Sequence, residues 1–544
     1  MLFVMPFIVA MVVTMAWMPV FAKLASRWRV VDHPGARKVH AAPIPRIGGL
    51  AMAIGVLIAA LLSIPLGSHE RYFLLAAAVL TVFGYLDDRF DLDPRIKFLG
   101  QFIAAGIVIL GGDIQIHSVT LDDRVFLPAW ISVPLTYFFL VGITNAINLV
   151  DGLDGLAGGT TFLCLCALAI LAYHSGQVSC AALALAFAGA ILGFLRFNTF
   201  PASIFMGDAG SQLLGFAVGV LSLRATQSGN SMISAAIPVL LLALPILDTL
   251  NVMTQRISEG RSPFSADKNH IHHKLLSFGF DHHEAVMVIY AIQADLFLLA
   301  YWMRYESDLT ILAVVSLFFV GTIMLLQVAT RRRWRFRSAR TAAQDSPLVR
   351  MIKTLRQPQG LPRWSYAIIG VAIWGYALIV IAETANVSRD VRLLLVALLA
   401  VAAAGFAALR QRPLITVEKA VLYTTGAVLV YLDSSSVQGG PSLHAAAWVA
   451  ILVMAVGTLV RLQFCGDRRF VLTPLDLLVL FVALVVPSLP DTLGLPDGGA
   501  LGIAKLVVLF YAMEVLVNRL DLPVLWLRII ASTLLVSLVA RSLL

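Results

Sequence analysis

The sequence predicts an all-α, polytopic membrane bundle, and three observations carry that expectation. Of 544 residues, 59% are hydrophobic and 13% charged, whereas a soluble domain carries about 25% charged residues. The mean hydropathy is +0.88. Apolar runs recur along nearly the whole chain, and a helix needs roughly 20 such residues to cross the hydrocarbon layer. A soluble enzyme, a secreted disulfide scaffold and a disordered regulator are excluded. The net charge of +9 reports on where the loops lie, not on nucleic acid.

Taken in order, the chain opens on an apolar stretch, Met1 to Ala22, without a basic leader or a cleavage site. It is expected to be a retained first span. About eleven spans are expected before a basic break, centred near Val12, Gly55, Ala78, Ala105, Tyr137, Leu168, Leu185, Ala217, Leu241, Tyr290 and Ser316. About seven follow it, near Ile373, Leu399, Thr425, Ile451, Leu480, Val508 and Ile530. The stretches around Ala217 and Thr425 are weak enough to be re-entrant. With Met1 outside, 31 of the 40 Lys and Arg fall in loops on the inner side, as the excess of cations in cytoplasmic loops requires. The domain division is then a membrane block at 1–330, a basic, Pro-containing cytoplasmic linker at 331–363 and a further membrane block at 364–544. Cys164, Cys166, Cys180 and Cys465 lie in or beside apolar segments and are expected to pack in the membrane.

An ionised carboxylate at the centre of a span costs about 2.5–3.5 kcal/mol, so polar clusters beside spans ask for a functional reason. Five stand out, all on the expected inner side. VDHPGARKVHAAPIPRIGG places Arg37, Lys38, His40 and Arg46 before the second span, as an ordinary inner loop or an anion site. In YLDDRFDLDPRIK the adjacent Asp87 and Asp88 close the third span; they repel each other at the negative pole of the helix dipole unless a cation or proton is shared. NAINLVDGLDGLAGG repeats Asn145, Asn148, Asp151 and Asp154 every third residue, and Gly152 and Gly155 permit a tightened stretch that turns all four towards one cavity. FPASIFMGDAGSQLLG sets Asp208 in a glycine turn at the start of a span, with Phe205 just before it. A lone carboxylate there suits Mg²⁺, which keeps several waters and uses one or two carboxylates. RISEGRSPFSADKNHIHHKL gathers His270, His272 and His273 with Arg256, Arg261, Lys268 and Lys274. Without a Cys or HExxH pattern this looks less like zinc than like a cradle for a diphosphate. Together the clusters point to metal-assisted chemistry on an anionic substrate at the inner membrane surface. An ion transporter would bury its carboxylates near the midplane instead.

The paired aspartates, NxxNxxDGxDGLAGG, FMGDAGS and HIHH, in this order, closely resemble the polyprenyl-phosphate N-acetylhexosamine-1-phosphate transferases of glycosyltransferase family 4. The WecA-like branch fits better than the MraY-like phospho-MurNAc-pentapeptide transferases, which show TPTMGG where this chain has PIPRIGG. The resemblance spans roughly Met1 to Thr330 and makes 1–330 the expected catalytic domain. It implies transfer of a sugar-1-phosphate from a UDP-N-acetylhexosamine to undecaprenyl phosphate with release of UMP. The transfer would depend on Mg²⁺, or on Mn²⁺ in its place. The implied setting is the start of surface polysaccharide synthesis in the bacterial inner membrane, with the active site facing the cytoplasm. GlcNAc is the expected sugar, with GalNAc, QuiNAc and FucNAc as alternatives. By motif position the resemblance implies that Asp208 ligates the metal. Asp87 and Asp88 would lie beside the lipid phosphate, with one of them a proposed general base. Asn148 and Asp151 would line the nucleotide cleft, and Asp154 and Phe205 the uracil side. His270, His272 and His273 would hold the diphosphate and Arg256 or Arg261 the sugar side, with Lys38 and His40 as further binding residues. Membrane lipid is an expected partner, nucleic acid is not, and a homodimer stays an open alternative. A transporter or flippase of lipid-linked sugar is the second reading, and it leans on the additional spans at 364–544. Glu383, Asp433, His444, Asp476 and Glu514 are scattered there and are expected to be packing or loop residues.

Overall fold

The computed structural model describes residues 3–32, 43–121, 123–228, 231–262, 270–335, 364–384, 415–435, 441–464, 473–479 and 499–517, with a few short pieces near 392–399, 481 and 532–541. The chain divides into two units: Met1–Ser338 with Thr473–Leu478, and Ala339–Leu472 with Val479–Leu544. Most of 331–363, Lys38, His40, His444's side chain and the expected spans around Leu399, Leu480 and Ile530 lie largely or wholly outside the described residues.

In the first unit thirteen helices follow one another among the described residues: α1 (Val4–Trp28), α2 (Gly48–Ser63), α3 (Ser68–Phe90), α4 (Pro94–Gly106), α5 (Ala129–Val150), α6 (Leu156–His174), α7 (Val178–Asn198), α8 (Gly207–Gln227), α9 (Ile237–Leu241), α10 (Ala243–Ser258), α11 (Ile271–Ser277), α12 (His282–Trp302) and α13 (Asp308–Arg331). Two small antiparallel hairpins interrupt them, β1 (Val31–Asp32) with β2 (Ile44–Pro45) and β3 (Ser118–Thr120) with β4 (Arg124–Phe126). Eight described helices are long and apolar enough to cross a membrane, seven of them in this unit, so the chain is an all-α, multi-pass membrane protein. Burial sorts them. The α6 segment is 94% buried while α13 is only 11% buried, so α6 lies inside the bundle and α13 presents an almost wholly apolar surface suited to lipid. The stretch around Ala217 forms α8 as one continuous, largely buried helix, and that around Thr425 is also continuous.

The ninth expected span differs from a single helix. It breaks at Leu242 into α9 and α10. Pro245 has no N–H to offer the Leu241 carbonyl four residues earlier, which a continuous helix would require. The freed carbonyl instead accepts from Gln293 Nε2 at 2.9 Å and from Cys164 Sγ at 3.7 Å. Gln293 is 0% exposed on α12, so a buried amide seals the break. Cys164, Cys166 and Cys180 are buried free thiols.

The second unit contributes α14 (Trp364–Glu383), α15 (Ile415–Ser435), α16 (Pro441–Phe464) and α17 (Gly499–Val517). They share a core around Ile373, Tyr376, Leu429, Met454, Leu509 and Met513. Of the scattered polar residues, Asp433 is one that packs. Asp433 is not an isolated loop residue: its Oδ2 is 2.7 Å from Lys505 Nζ and accepts the Tyr376 hydroxyl at 2.8 Å, all of them buried. An ammonium and a phenol satisfy a carboxylate that an apolar interior would otherwise penalise.

Candidate active site

The start of α8 organises the site. Gly84 lets α3 approach it, since a Cβ there would lie 2.5 Å from Ala209 Cα. One turn later on α3, Asp88 meets the opening of α8. Its two oxygens accept the backbone N–H groups of Asp208 at 2.8 Å and Ala209 at 3.0 Å. Two orphan donors of a helix N-terminus are thereby capped by a carboxylate from another helix, where the dipole favours it. Gly207 has φ +70°, and a Cβ there would run into the Asp88 carboxylate, so the turn demands glycine.

Asp87, on the same helix, is 4% exposed. Its Oδ1 accepts from the Leu92 amide at 2.9 Å and its Oδ2 lies 2.5 Å from Lys97 Nζ. The same ammonium is 3.4 Å from Asp208 Oδ2, and Asp208 Oδ1 accepts from Asn148 Nδ2 at 2.6 Å. Asn148 also donates to Ser211 Oγ at 2.7 Å. Behind them Gln101, Asn145 and Gln212 exchange amide hydrogen bonds, tying α4, α5 and α8 together. Lys97 comes to this point because Asp93 caps α4 through the Arg95 amide and Pro94 starts the helix. The chain thus reverses after α3 and brings position 97 back beside position 87.

Two hard carboxylate oxygens, one on Asp87 and one on Asp208, therefore face a point that already attracts a positive charge. That donor set fits Mg²⁺, which takes one or two carboxylates and completes its shell with water or phosphate oxygens. Among the described residues no group of three or more His, Cys, Asp or Glu is arranged to hold a metal by itself, so a zinc-type cage is not seen there.

The second centre is the histidine segment. Asp248, buried in α10, lies 2.8 Å from His270 Nδ1 through Oδ2 and accepts the Ile271 amide at 2.7 Å through Oδ1. A carboxylate only accepts, so His270 donates from Nδ1 and leaves Nε2 for a ligand. The rings of His270 and His272 stack at 5.5 Å, and those of His272 and His273 lie 4.3 Å apart. His272 is 3% exposed. Burial, reinforced by the neighbouring His273, pushes its imidazole down to about 3, so it is neutral at physiological pH.

The turn after α5 joins the two centres. A Cβ on Gly152 would collide with the His272 imidazole, so the bare glycine lets the histidine lie against the turn. Asp151 opens that turn. Its solvent-exposed carboxyl is held above the usual carboxylate range by the crowded surroundings of the turn and the charges of Asp208 and Asp154, against the pull of Arg46. Arg46 itself pairs with Asp32 across the β1–β2 hairpin, and its strand pairs with Phe205 through the backbone. Asp154 Oδ2 accepts the Ala202 amide at 2.9 Å, which fixes the loop leading to Phe205.

Asp87, Asp88, Asn148 and Asp208 thus form one group, and Asp151 and Asp154 lie on the turn that leads to His270, His272 and His273. Arg256 is buried in the last turn of α10. Arg261 pairs with Glu259 at 2.5 Å on an exposed turn and is not placed among the other site residues by any of these contacts. Lys97 and Asp248 escaped the sequence reading. Each carried a signal: Lys97 is a cation one short turn after two carboxylates that needed one, and Asp248 is a lone carboxylate in an apolar run.

The family model of glycosyl transferase family 4 matches residues 71–226, the stretch from α3 to the end of α8. A Bacillus subtilis protein named probable undecaprenyl-phosphate N-acetylglucosaminyl 1-phosphate transferase is 40% identical over 292 residues, covering 53% of this chain and 81% of the relative. A Mycobacterium leprae decaprenyl-phosphate N-acetylglucosaminephosphotransferase is 38% identical, with 49% and 75% covered. The undecaprenyl-phosphate alpha-N-acetylglucosaminyl 1-phosphate transferase of Escherichia coli K12 is 31% identical, with 58% and 87% covered.

Proposed function

Because the chain belongs to the polyprenyl-phosphate N-acetylhexosamine-1-phosphate transferase family, we propose that it transfers GlcNAc-1-phosphate from UDP-GlcNAc to undecaprenyl phosphate and releases UMP. The observation that carries this reading is the meeting of Asp87, Asp208, Asn148 and Lys97 beside a turn that runs to a carboxylate-oriented histidine. Phosphoryl transfer needs little beyond positioning and charge stabilisation, and these groups supply both.

Mg²⁺ held by Asp208 and Asp87 would neutralise diphosphate oxygens and the charge that builds on departing UMP. Asn148 holds the Asp208 carboxylate in place through its Oδ1. Lys97, beside both carboxylates, would hold the lipid phosphate. An oxygen of that phosphate forms the new bond to the β-phosphorus, and the bridging oxygen leaves with UMP. In its doubly protonated form His270 would donate from Nε2–H to a diphosphate oxygen while Asp248 holds its ring through Nδ1–H. A phosphate monoester has a second pKa of about 6 and is largely ionised at neutral pH, so no proton need be removed from it. The engaged oxygens of Asp87 and Asp88 favour positioning over base catalysis for both.

The site is assigned to the cytoplasmic face of the bacterial inner membrane, because the loops that carry it belong to the side with 31 of 40 Lys and Arg. Its product would begin a surface polysaccharide. The test is release of UMP from UDP-GlcNAc by the purified full chain with Mg²⁺. Release that depends on added undecaprenyl phosphate is expected; no release, or release indifferent to the lipid, overturns the reading.

A further inference from the structure

Of the described spanning helices α13 is the least buried, with Leu317, Val320, Met324, Leu325 and Val328 exposed along it. It runs directly into Arg331, Arg332, Arg333, Trp334 and Arg335. All four arginines are exposed, and no acidic side chain pairs with any of them among the described residues. Arginines at the end of a lipid-facing helix lie at headgroup depth, where anionic lipids attract them.

This helix end is shaped as well as charged. The Trp334 amide donates to the Ala329 carbonyl at 2.9 Å and the Arg333 amide to the Thr330 carbonyl at 3.1 Å, the paired bonds of a Schellman cap. Such a cap asks for a left-handed residue, usually glycine. Here Arg333 takes that place with φ +49°, so the turn carries a cation where glycine fits more easily. The cap folds Trp334 back onto the bundle. Its ring meets Phe278 edge-on at 6.0 Å and lies 6.1 Å from Phe280. Those two phenylalanines follow α11, the helix that carries His272 and His273. The arginines therefore lie on the same side as the site and are tied to the histidine segment through one ring.

We propose that Arg331, Arg332, Arg333 and Arg335 form a docking surface for the phosphodiester headgroups of anionic phospholipids, and that their binding holds Trp334 against the turn after α11. The partial negative charge at a helix C-terminus is only about half a unit, so four guanidinium groups leave a positive surplus that draws anions from outside the chain. A guanidinium offers a phosphate two parallel N–H donors. The apolar side chains exposed along α13 favour a lipid over a soluble anion, because acyl chains can lie against them while the headgroup meets the arginines. Trp334, 47% exposed, has one face on the protein and the other at the interface, where tryptophan is favoured.

The full chain, labelled with 5-fluorotryptophan, is placed in nanodiscs of phosphatidylcholine alone or of an equal mixture with phosphatidylglycerol. The ¹⁹F resonance missing from Trp334→Phe is that of Trp334. It should shift when phosphatidylglycerol is present and return towards its phosphatidylcholine position as salt is raised. Arg331→Gln, Arg332→Gln, Arg333→Gln and Arg335→Gln together should abolish the shift; Arg332→Gln with Arg335→Gln, which should reduce it by about half, serves if the fourfold variant fails to insert. A resonance indifferent to phosphatidylglycerol in the unaltered protein overturns the proposal, as does a shift of full size in a folded glutamine variant. A shift produced by undecaprenyl phosphate in phosphatidylcholine, but not by phosphatidylglycerol, also overturns it and makes the substrate lipid the occupant. None of these readouts involves UMP release, so the docking surface and the transferase reading stand or fall separately.

Discussion

Asp208 divides its two oxygens between an amide and an ammonium, Asn148 on one side and Lys97 on the other. Asparagine in its place keeps the shape but removes the charge, so the pair with Asp87 can no longer balance a divalent cation. Asp208→Asn should lower kcat by about 10³-fold while the thermal unfolding temperature stays within a few degrees of the unaltered protein. Turnover near normal would remove Asp208 from the metal site. Asp248 acts one step further back, through His270. Asp248→Asn still accepts from the Ile271 amide but no longer imposes an Nδ1 proton on the imidazole. We expect a 10–100-fold fall in kcat with KM for UDP-GlcNAc little changed, and no further loss when His270→Gln is added. A rise in KM alone would make Asp248 a binding residue rather than a positioning one.

At the scale of the helices, the departure from a single ninth span has a local cause with a distant effect. Pro245 frees the Leu241 carbonyl, Gln293 from α12 satisfies it, and α10 leaves the break carrying Asp248 towards His270. Gln293→Leu removes that donor and leaves a buried carbonyl with only the weak thiol of Cys164. A loss of about 1–3 kcal/mol in stability is expected, read by chemical or thermal unfolding in detergent, together with reduced turnover as α10 shifts. A stable variant with full activity would show that the break is held by packing alone. The helices themselves were legible because spanning runs are long and their apolar content is unmistakable. The break was not, although each new helix carries a proline in its first turn, Pro238 in α9 and Pro245 in α10, where proline is tolerated. The acidic part of the site was legible for a related reason, since Asp87, Asp88, Asp151 and Asp208 are expensive beside a membrane. Their contacts were not. Whether Asp88 faces a ligand or the amides of α8 depends on the approach allowed by Gly84 and Gly207, which no spacing rule reveals. The Asp433–Lys505–Tyr376 group in the second unit was hidden in the same way, its members being far apart in sequence.

For the molecule as a whole, every residue of the proposed chemistry lies in the Met1–Ser338 part of the first unit. A chain stopped after Arg340 should insert, fold and release UMP at a rate within a few-fold of the full protein. Aggregation of the shortened chain, or loss of turnover in a well-folded one, would make the second unit part of the transferase. The central claim is that acidic groups on α3 and α8 and a histidine more than 60 residues beyond Asp208 in the sequence act on one bound diphosphate. Electron–nuclear double resonance with Mn²⁺ in place of Mg²⁺ and UDP-GlcNAc bound reads this directly. A ³¹P coupling to Mn²⁺ should appear in the unaltered protein, vanish in Asp208→Asn and weaken in His270→Gln. A coupling that persists in Asp208→Asn, or is absent from the unaltered protein, contradicts it.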